Sequence, residues 1–137
     1  MLYIGIDTGV HTGFAVYDSR KGRLLDLQAL LIHRAMEQVK MWCDVVGKSN
    51  VKVIFEDARQ RKWYTGDVSA KAQGAGAVKR DASVWEDFLN DYGIDYWAKP
   101  PTKGLTKWDA KTFQFVTGWQ GGTSYHARDA AMLVFGK

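Results

Sequence analysis

The sequence predicts an α/β domain: a mixed five-stranded sheet, with an antiparallel meander followed by parallel strands, flanked by helices. Three observations point there. Apolar stretches over residues 1–7, 12–18 and 23–31 are separated only by short turns, which implies antiparallel pairing. The apolar period then switches to three- and four-residue steps over 32–47, the signature of an amphipathic helix. A β-branched run at 51–57 follows, and the order strand, helix, strand makes the two strands parallel if they share a sheet.

Residues 1–7 (MLYIGID) alternate only weakly, as a strand covered on both faces does, and they end on the carboxylate of Asp7. A short Gly-containing turn returns the chain as 12–18. Ser19-Arg20-Lys21-Gly22 makes the next turn, with Gly22 free to take a positive φ. Residues 23–31 (RLLDLQALL) form the third strand. In the first helix Met36, Val39, Trp42, Cys43 and Val46 share a face, which assigns Trp42 and Cys43 to the core, and Gly47 terminates it. The run 51–57 (VKVIFED) again ends on carboxylates, Glu56 and Asp57.

Residues 58–71 carry no apolar period and read as a loop. A long helix follows over 69–92, with Ala75, Val78, Ala82, Trp85 and Leu89 on one face. Gly74 and Gly76 lie inside it at a cost of about 1 kcal/mol each against Ala. Either a close backbone approach or a kink accounts for them. Gly93 ends the helix and 94–98 gives a short fifth strand. Pro100-Pro101 then break the chain. A helix over 107–119 would turn Ala110, Phe113 and Val116 inward and Lys111 outward. Gly121-Gly122 leads to a last helix over 124–135. With no internal repeat, low-complexity segment or linker, residues 1–137 read as one domain.

Composition narrows the function classes. Hydrophobic content of 46% with 25% charged residues is ordinary for a soluble globular protein, and 14 Gly against 2 Pro suits a compact α/β domain better than a disordered chain. Cys43 is the only cysteine, so an internal disulfide is impossible and a reducing compartment is expected. No apolar run approaches the roughly 20 residues needed to span a bilayer, so no membrane partner is expected. The N-terminus lacks a signal-peptide pattern. A net charge of +4 fits a nucleic-acid partner or simply a mildly basic protein. The distribution of charge says more: Arg59, Arg61, Lys62 and Lys71 surround Trp63 and Tyr64.

The parallel pairing brings the ends of the first and fourth strands, and so Asp7 and Glu56, to one edge of the sheet. Asp129 interrupts an otherwise apolar helical segment, and His126, three residues earlier, shares its face. Taken singly, Asp7 reads as a turn residue, Glu56 as a strand exit, Asp129 as a solvated residue and His126 as a packing one. Strand order predicts that the acids converge, and that changes the reading. Carboxylate oxygens suit Mg²⁺ or Mn²⁺. Two such ions about 4 Å apart activate a water and stabilise the leaving oxygen in phosphodiester cleavage.

At this level the chain resembles the RuvC-type Holliday junction resolvases of the ribonuclease H-like fold. Residues 4–16 (IGIDTGVHTGFAV) resemble the family's first motif, and Glu56 stands where its Glu closes the fourth strand. Residues 71–82 (KAQGAGAVKRDA) resemble its Gly/Ala-rich helix, and 99–117 its Pro-x-x-x-Lys segment with the Lys-bearing helix beyond. The segment 126–131 (HARDAA) resembles the closing motif, an acid or His three residues before an Asp-Ala pair. The similarity runs over nearly the whole chain, and its first and last motifs are the more specific ones.

The resemblance implies a homodimeric endonuclease that nicks branched DNA such as a four-way junction, using two Mg²⁺ or Mn²⁺ ions per site. The setting it implies is the cytoplasm of a bacterial or virus-infected bacterial cell. Asp7, Glu56, His126 and Asp129 would form the metal site. Lys107 and Lys111 would contact phosphates, with Lys103 an alternative for the first. Gly9 and Gly13 would form a turn that lets a phosphate come close. The chain departs from the family in its short length and its basic, aromatic loop, while His126 in place of an acid shifts metal preference toward Mn²⁺.

In that loop Arg59, Arg61 and Lys62 would neutralise phosphates. Trp63 or Tyr64 would stack on an unpaired base, worth roughly 1–3 kcal/mol, or else Trp63 packs beneath the loop. Trp97, Trp108 and Trp119 belong to the core or a dimer surface. Three alternatives stand beside the junction resolvase. One is a nuclease of the same fold acting on RNA or hybrids, and another is a nonenzymatic branched-DNA-binding protein. The third is a sugar-kinase-like or actin-like nucleotide-binding half, which needs a second phosphate motif that the sequence lacks.

Overall fold

The structure, a computed structural model, describes residues 1–61, 68–102 and 107–137, with the side chains of 68–75 left out. The meander forms as its short turns require: β1 (Leu2–Asp7), β2 (His11–Asp18) and β3 (Arg23–Leu31) pair antiparallel in succession. Helix α1 (Ile32–Val46) carries the chain back to β4 (Val51–Glu56), which lies parallel to β1. Helix α2 (Val68–Tyr92) leads to β5 (Asp95–Lys99), parallel to β4. Helices α3 (Ala110–Thr117) and α4 (Tyr125–Val134) complete the chain. The sheet order is β3-β2-β1-β4-β5, the mixed five-stranded layout of the ribonuclease H-like fold.

Two-residue alternation sorts the strands onto two faces. Ile4, Ile6, Phe14, Val16, Val51, Val53 and Phe55 point to one face, where Ala35, Val39 and Cys43 of α1 and Ala82, Trp85 and Leu89 of α2 cover them. Each large side chain buried there contributes about 1.5–3 kcal/mol. The residues between them point the other way. On that second face Ala15, Tyr17, Leu24 and Ile54 meet Phe113 of α3 and Ala130, Ala131 and Val134 of α4. Asp7, Glu56 and Lys99 fall in the same register as these, on the α4 side.

Helix α4 sits directly on the strands because both partners are small where they touch. A Cβ on Gly13 would collide with the His126 carbonyl, and one on Gly5 with the Ala130 carbonyl. Gly13 is thus a strand residue that admits a helix backbone, not part of a phosphate-binding turn. Ser124 caps α4, its Oγ accepting from the Ala127 amide at 3.2 Å.

Several expectations shift. Val78 and Val116, expected inward, are 39% and 41% exposed, and Ala110 is exposed too. Helix α3 begins at Ala110, where Asp109 caps it by accepting from the Thr112 amide at 2.7 Å. Lys107 therefore precedes the helix. Among the described residues nothing approaches the place of a Cβ on Gly76. Among the described residues, no helix is long and apolar enough to cross a membrane.

Candidate functional site

At the C-terminal ends of β1 and β4 an open cleft of about 280 Å³ is lined by Asp7, Glu56 and Asp129, together with Arg61, Lys99, Thr102, Lys107, Met132 and Leu133. Each acid arrives by a different route. Asp7 is the last residue of β1 and Glu56 the last of β4, carried to one level by parallel pairing. Asp129 is carried by α4, which the two glycines seat against the sheet. Lys99 enters because it pairs in register with Glu56 across β4 and β5.

The helix residues engage the cleft by two contacts. His126 Nδ1 lies 3.0 Å from Asp7 Oδ2, and Lys107 Nζ lies 2.8 Å from Asp129 Oδ2. An ionised Asp7 can only accept, so His126 donates to it from Nδ1. His126 and Asp129, three residues apart on α4, thus meet two different partners, Asp7 and Lys107.

Electrostatics sets these acids apart. Burial pushes the Asp7 carboxyl above its usual range and the charge of Asp129 adds to it, against the His126 hydrogen bond and Lys107. Burial likewise raises Glu56, with Asp7 as the repelling neighbour and Arg61, Lys99 and Lys107 opposing. The Asp129 hydrogen bond raises Lys107, which burial opposes and the charges of Asp129, Asp7 and Glu56 reinforce. Acids strained by burial and by one another, and a lysine held charged, are what a cation-binding or anion-neutralising cleft carries.

The donor set is chemically suited to a hard divalent ion: carboxylate oxygens with an imidazole beside them. Among the described residues, no three His, Cys, Asp or Glu side chains stand close enough together to hold one ion as the chain is arranged here. Two of the acids are engaged by His126 and Lys107 instead.

The basic residues divide. Arg61 lines the cleft, but Arg59 does not. Arg59 Nε and Nη2 hold both oxygens of Asp57 at 2.8 and 2.9 Å, and Nη2 also reaches Glu86 Oε2 of α2 at 2.9 Å. The guanidinium is committed to the framework and leaves no fork for a phosphate. Lys111 is exposed on α3 and does not line the cleft. Lys62, Trp63, Tyr64 and Lys103 lie outside the described residues, and the side chain of Lys71 does too. Of the remaining tryptophans, Trp108 and Trp119 pack on the second core, while Trp97 is exposed with Lys99 and Lys137 over its ring.

Sequence reasoning missed Lys99 and Arg128. Lys99 was readable as the residue at a strand end, but its place beside Glu56 depends on β5 joining β4. Arg128 is buried at 6% exposure, donating from Nε to the Trp108 carbonyl at 3.2 Å and from Nη1 to Thr123 Oγ1 at 2.6 Å. It ties the segment that carries Lys107 to α4. A cation inside an apolar helical run was the available signal. No protein-family model matches this chain, and no curated protein does.

Proposed function

We propose that the chain is a divalent-metal-dependent endonuclease of the RuvC-like kind, hydrolysing phosphodiester bonds in four-way junctions or other branched DNA. The observation that supports this is the cleft itself, where Asp7, Glu56 and Asp129 share one surface with Arg61, Lys99 and Lys107. Bound Mg²⁺ or Mn²⁺ on these carboxylates, with His126 beside them, would supply an acidified water and a counter-charge for the leaving oxygen.

The chain's own groups supply the rest. Arg61 and Lys99 neutralise phosphates along the bound strand. Lys107 offers its ammonium to the non-bridging oxygens of the phosphate under attack. His126 fixes the orientation of the Asp7 carboxylate from Nδ1. The same reading carries a homodimer acting on paired strands in a cytoplasmic setting.

A nonenzymatic branched-DNA-binding protein is the second reading, favoured by the engagement of Asp7 by His126 and of Asp129 by Lys107. Incubating the purified chain with Mg²⁺ or Mn²⁺ and a synthetic four-way junction, a linear duplex and an RNA–DNA hybrid separates them. The nuclease reading expects preferential nicking of the junction, abolished by chelation. Junction binding without any metal-dependent cleavage selects the binding protein, and preferential cutting of the hybrid selects a ribonuclease.

A further inference from the structure

The cleft supplies its own counter-charge. Among the described residues, the carboxylates of Asp7, Glu56 and Asp129 face the cations Arg61, Lys99 and Lys107. Among the described residues, only Lys107 of these cations is seated on one of the carboxylates, at 2.8 Å from Asp129 Oδ2. The next residue in the chain, Trp108, is anchored through its carbonyl to the buried Arg128. The Lys107 side chain is itself 68% exposed, so the ammonium can swing off Asp129 while the backbone at its root stays held.

An ammonium on Asp129 covers lone pairs that a divalent ion needs, and a phosphate oxygen offers that ammonium an equivalent charge-assisted partner. Resting on the nuclease reading above, we infer that Lys107 is an exchangeable counter-ion. A nucleic-acid phosphate draws Lys107 away from Asp129, the freed carboxylate accepts the divalent ion, and substrate and metal therefore bind with positive coupling. By thermodynamic reciprocity each ligand tightens the other by the same factor. The contact also neutralises Asp129 before substrate arrives, which holds metal affinity low until a phosphate is present to be cut.

The test is the Mn²⁺ affinity of the intact chain, read by water-proton relaxation with and without a four-way junction made with phosphorothioate linkages. Mn²⁺ uptake by the junction alone is subtracted. The expected result for the wild type is about tenfold tighter Mn²⁺ binding in the presence of the junction. Lys107→Met should bind Mn²⁺ more tightly than the wild type without junction and lose most of the coupling. Lys107→Gln serves as a second variant, with folding checked by circular dichroism. Lys99→Met removes an equal charge but leaves the Asp129 contact, and should keep the coupling.

Equal Mn²⁺ affinity with and without junction, both ligands being bound, overturns the exchange and leaves the nuclease reading standing. Lys99→Met behaving like Lys107→Met assigns the effect to overall charge and overturns it too. No Mn²⁺ uptake by the wild type under either condition overturns the nuclease reading along with the exchange.

Discussion

At the end of β4 the chain presents two carboxylates in succession, and the two faces of the sheet treat them in opposite ways. Glu56 points toward α4, into a cleft where burial and the charge of Asp7 raise its pKa. Asp57, 3% exposed, meets Arg59 from its own turn, which reaches on to Glu86 of α2. Burial pushes Asp57 upward, but the hydrogen bonds from Arg59 and Gln60 outweigh it and hold the carboxyl below its usual range. Its amide also donates to the Lys99 carbonyl at 2.7 Å, which pins the end of β5 beside the cleft. One acid is satisfied by the protein and builds the frame. Its neighbour is left under tension, and that tension is available to a ligand. Two adjacent carboxylates therefore differ in role because a strand sends successive side chains to opposite faces.

The largest expected effect comes from exchanging the fates of this pair. Glu56→Gln should lower metal-dependent cleavage by at least ~100-fold, as loss of a charge-stabilising group does. It should also gain stability at neutral pH, by under about 1 kcal/mol in this solvent-screened cleft. Asp57→Ala should do the reverse. It should cost about 2 kcal/mol by leaving Arg59 without its buried partner, while the residual folded fraction keeps its metal dependence. Urea midpoints and cleavage rates of both variants check this. If Asp57→Ala lost cleavage while remaining fully folded, the division into frame and cleft would fail.

The next effect separates position from charge. Gly13→Ala changes no ionisable group, yet its methyl would strike the carbonyl of His126 and force α4 off the strand. Destabilisation of about 3 kcal/mol is expected, as for overpacking against backbone. Cleavage by the folded fraction should fall as well, since His126 and Asp129 ride on α4. A variant as stable and as active as the wild type would mean that the close seating of α4 does not position the site.

The smallest effect is the pH dependence of stability, with opposite signs for the cleft acids and for Asp57. Asp7 and Glu56 have raised folded-state pKa values, so their contribution is fully present below the ordinary carboxylate pKa near ~4 and is lost as pH rises through the raised values. Asp57 has a lowered one, so its contribution is present above ~4 and is lost as pH falls through the lowered value. The advantage of Glu56→Gln over the wild type should therefore shrink as pH drops toward ~4, where protonation removes the same charge. Urea midpoints from pH ~3 to ~7 test this, and an advantage that grew on acidification would reverse the assignment.

Much of this was legible in the residues, and the rest fails for physical reasons. The elements were readable because period and turn chemistry are local: β3 spans the same residues, 23–31, in sequence and structure, and α1 differs only at its last turn. Asp7 and Glu56 were readable as partners because parallel pairing is a consequence of chain order. Arg59 was misplaced because a guanidinium beside Trp and Tyr in sequence looks the same whether it faces a phosphate or a carboxylate. Val78 and Val116 were misplaced because periodicity defines a face without saying how far a neighbouring layer extends over it.

By itself, then, the sequence determined the alternation, the glycines that end helices and the order of strands and helices along the chain. Those settle the fold and which ends of the sheet carry acids, because they depend on local sterics and hydrogen bonding. Tertiary structure alone decided which acid is satisfied and which is left strained. That depends on what lies across a gap of a few ångströms: Arg59 reaching α2 from one side of β4, and Lys107 reaching Asp129 on the other. Coulomb energy and desolvation are set by such distances and by burial, and neither quantity is written in the spacing of residues along the chain.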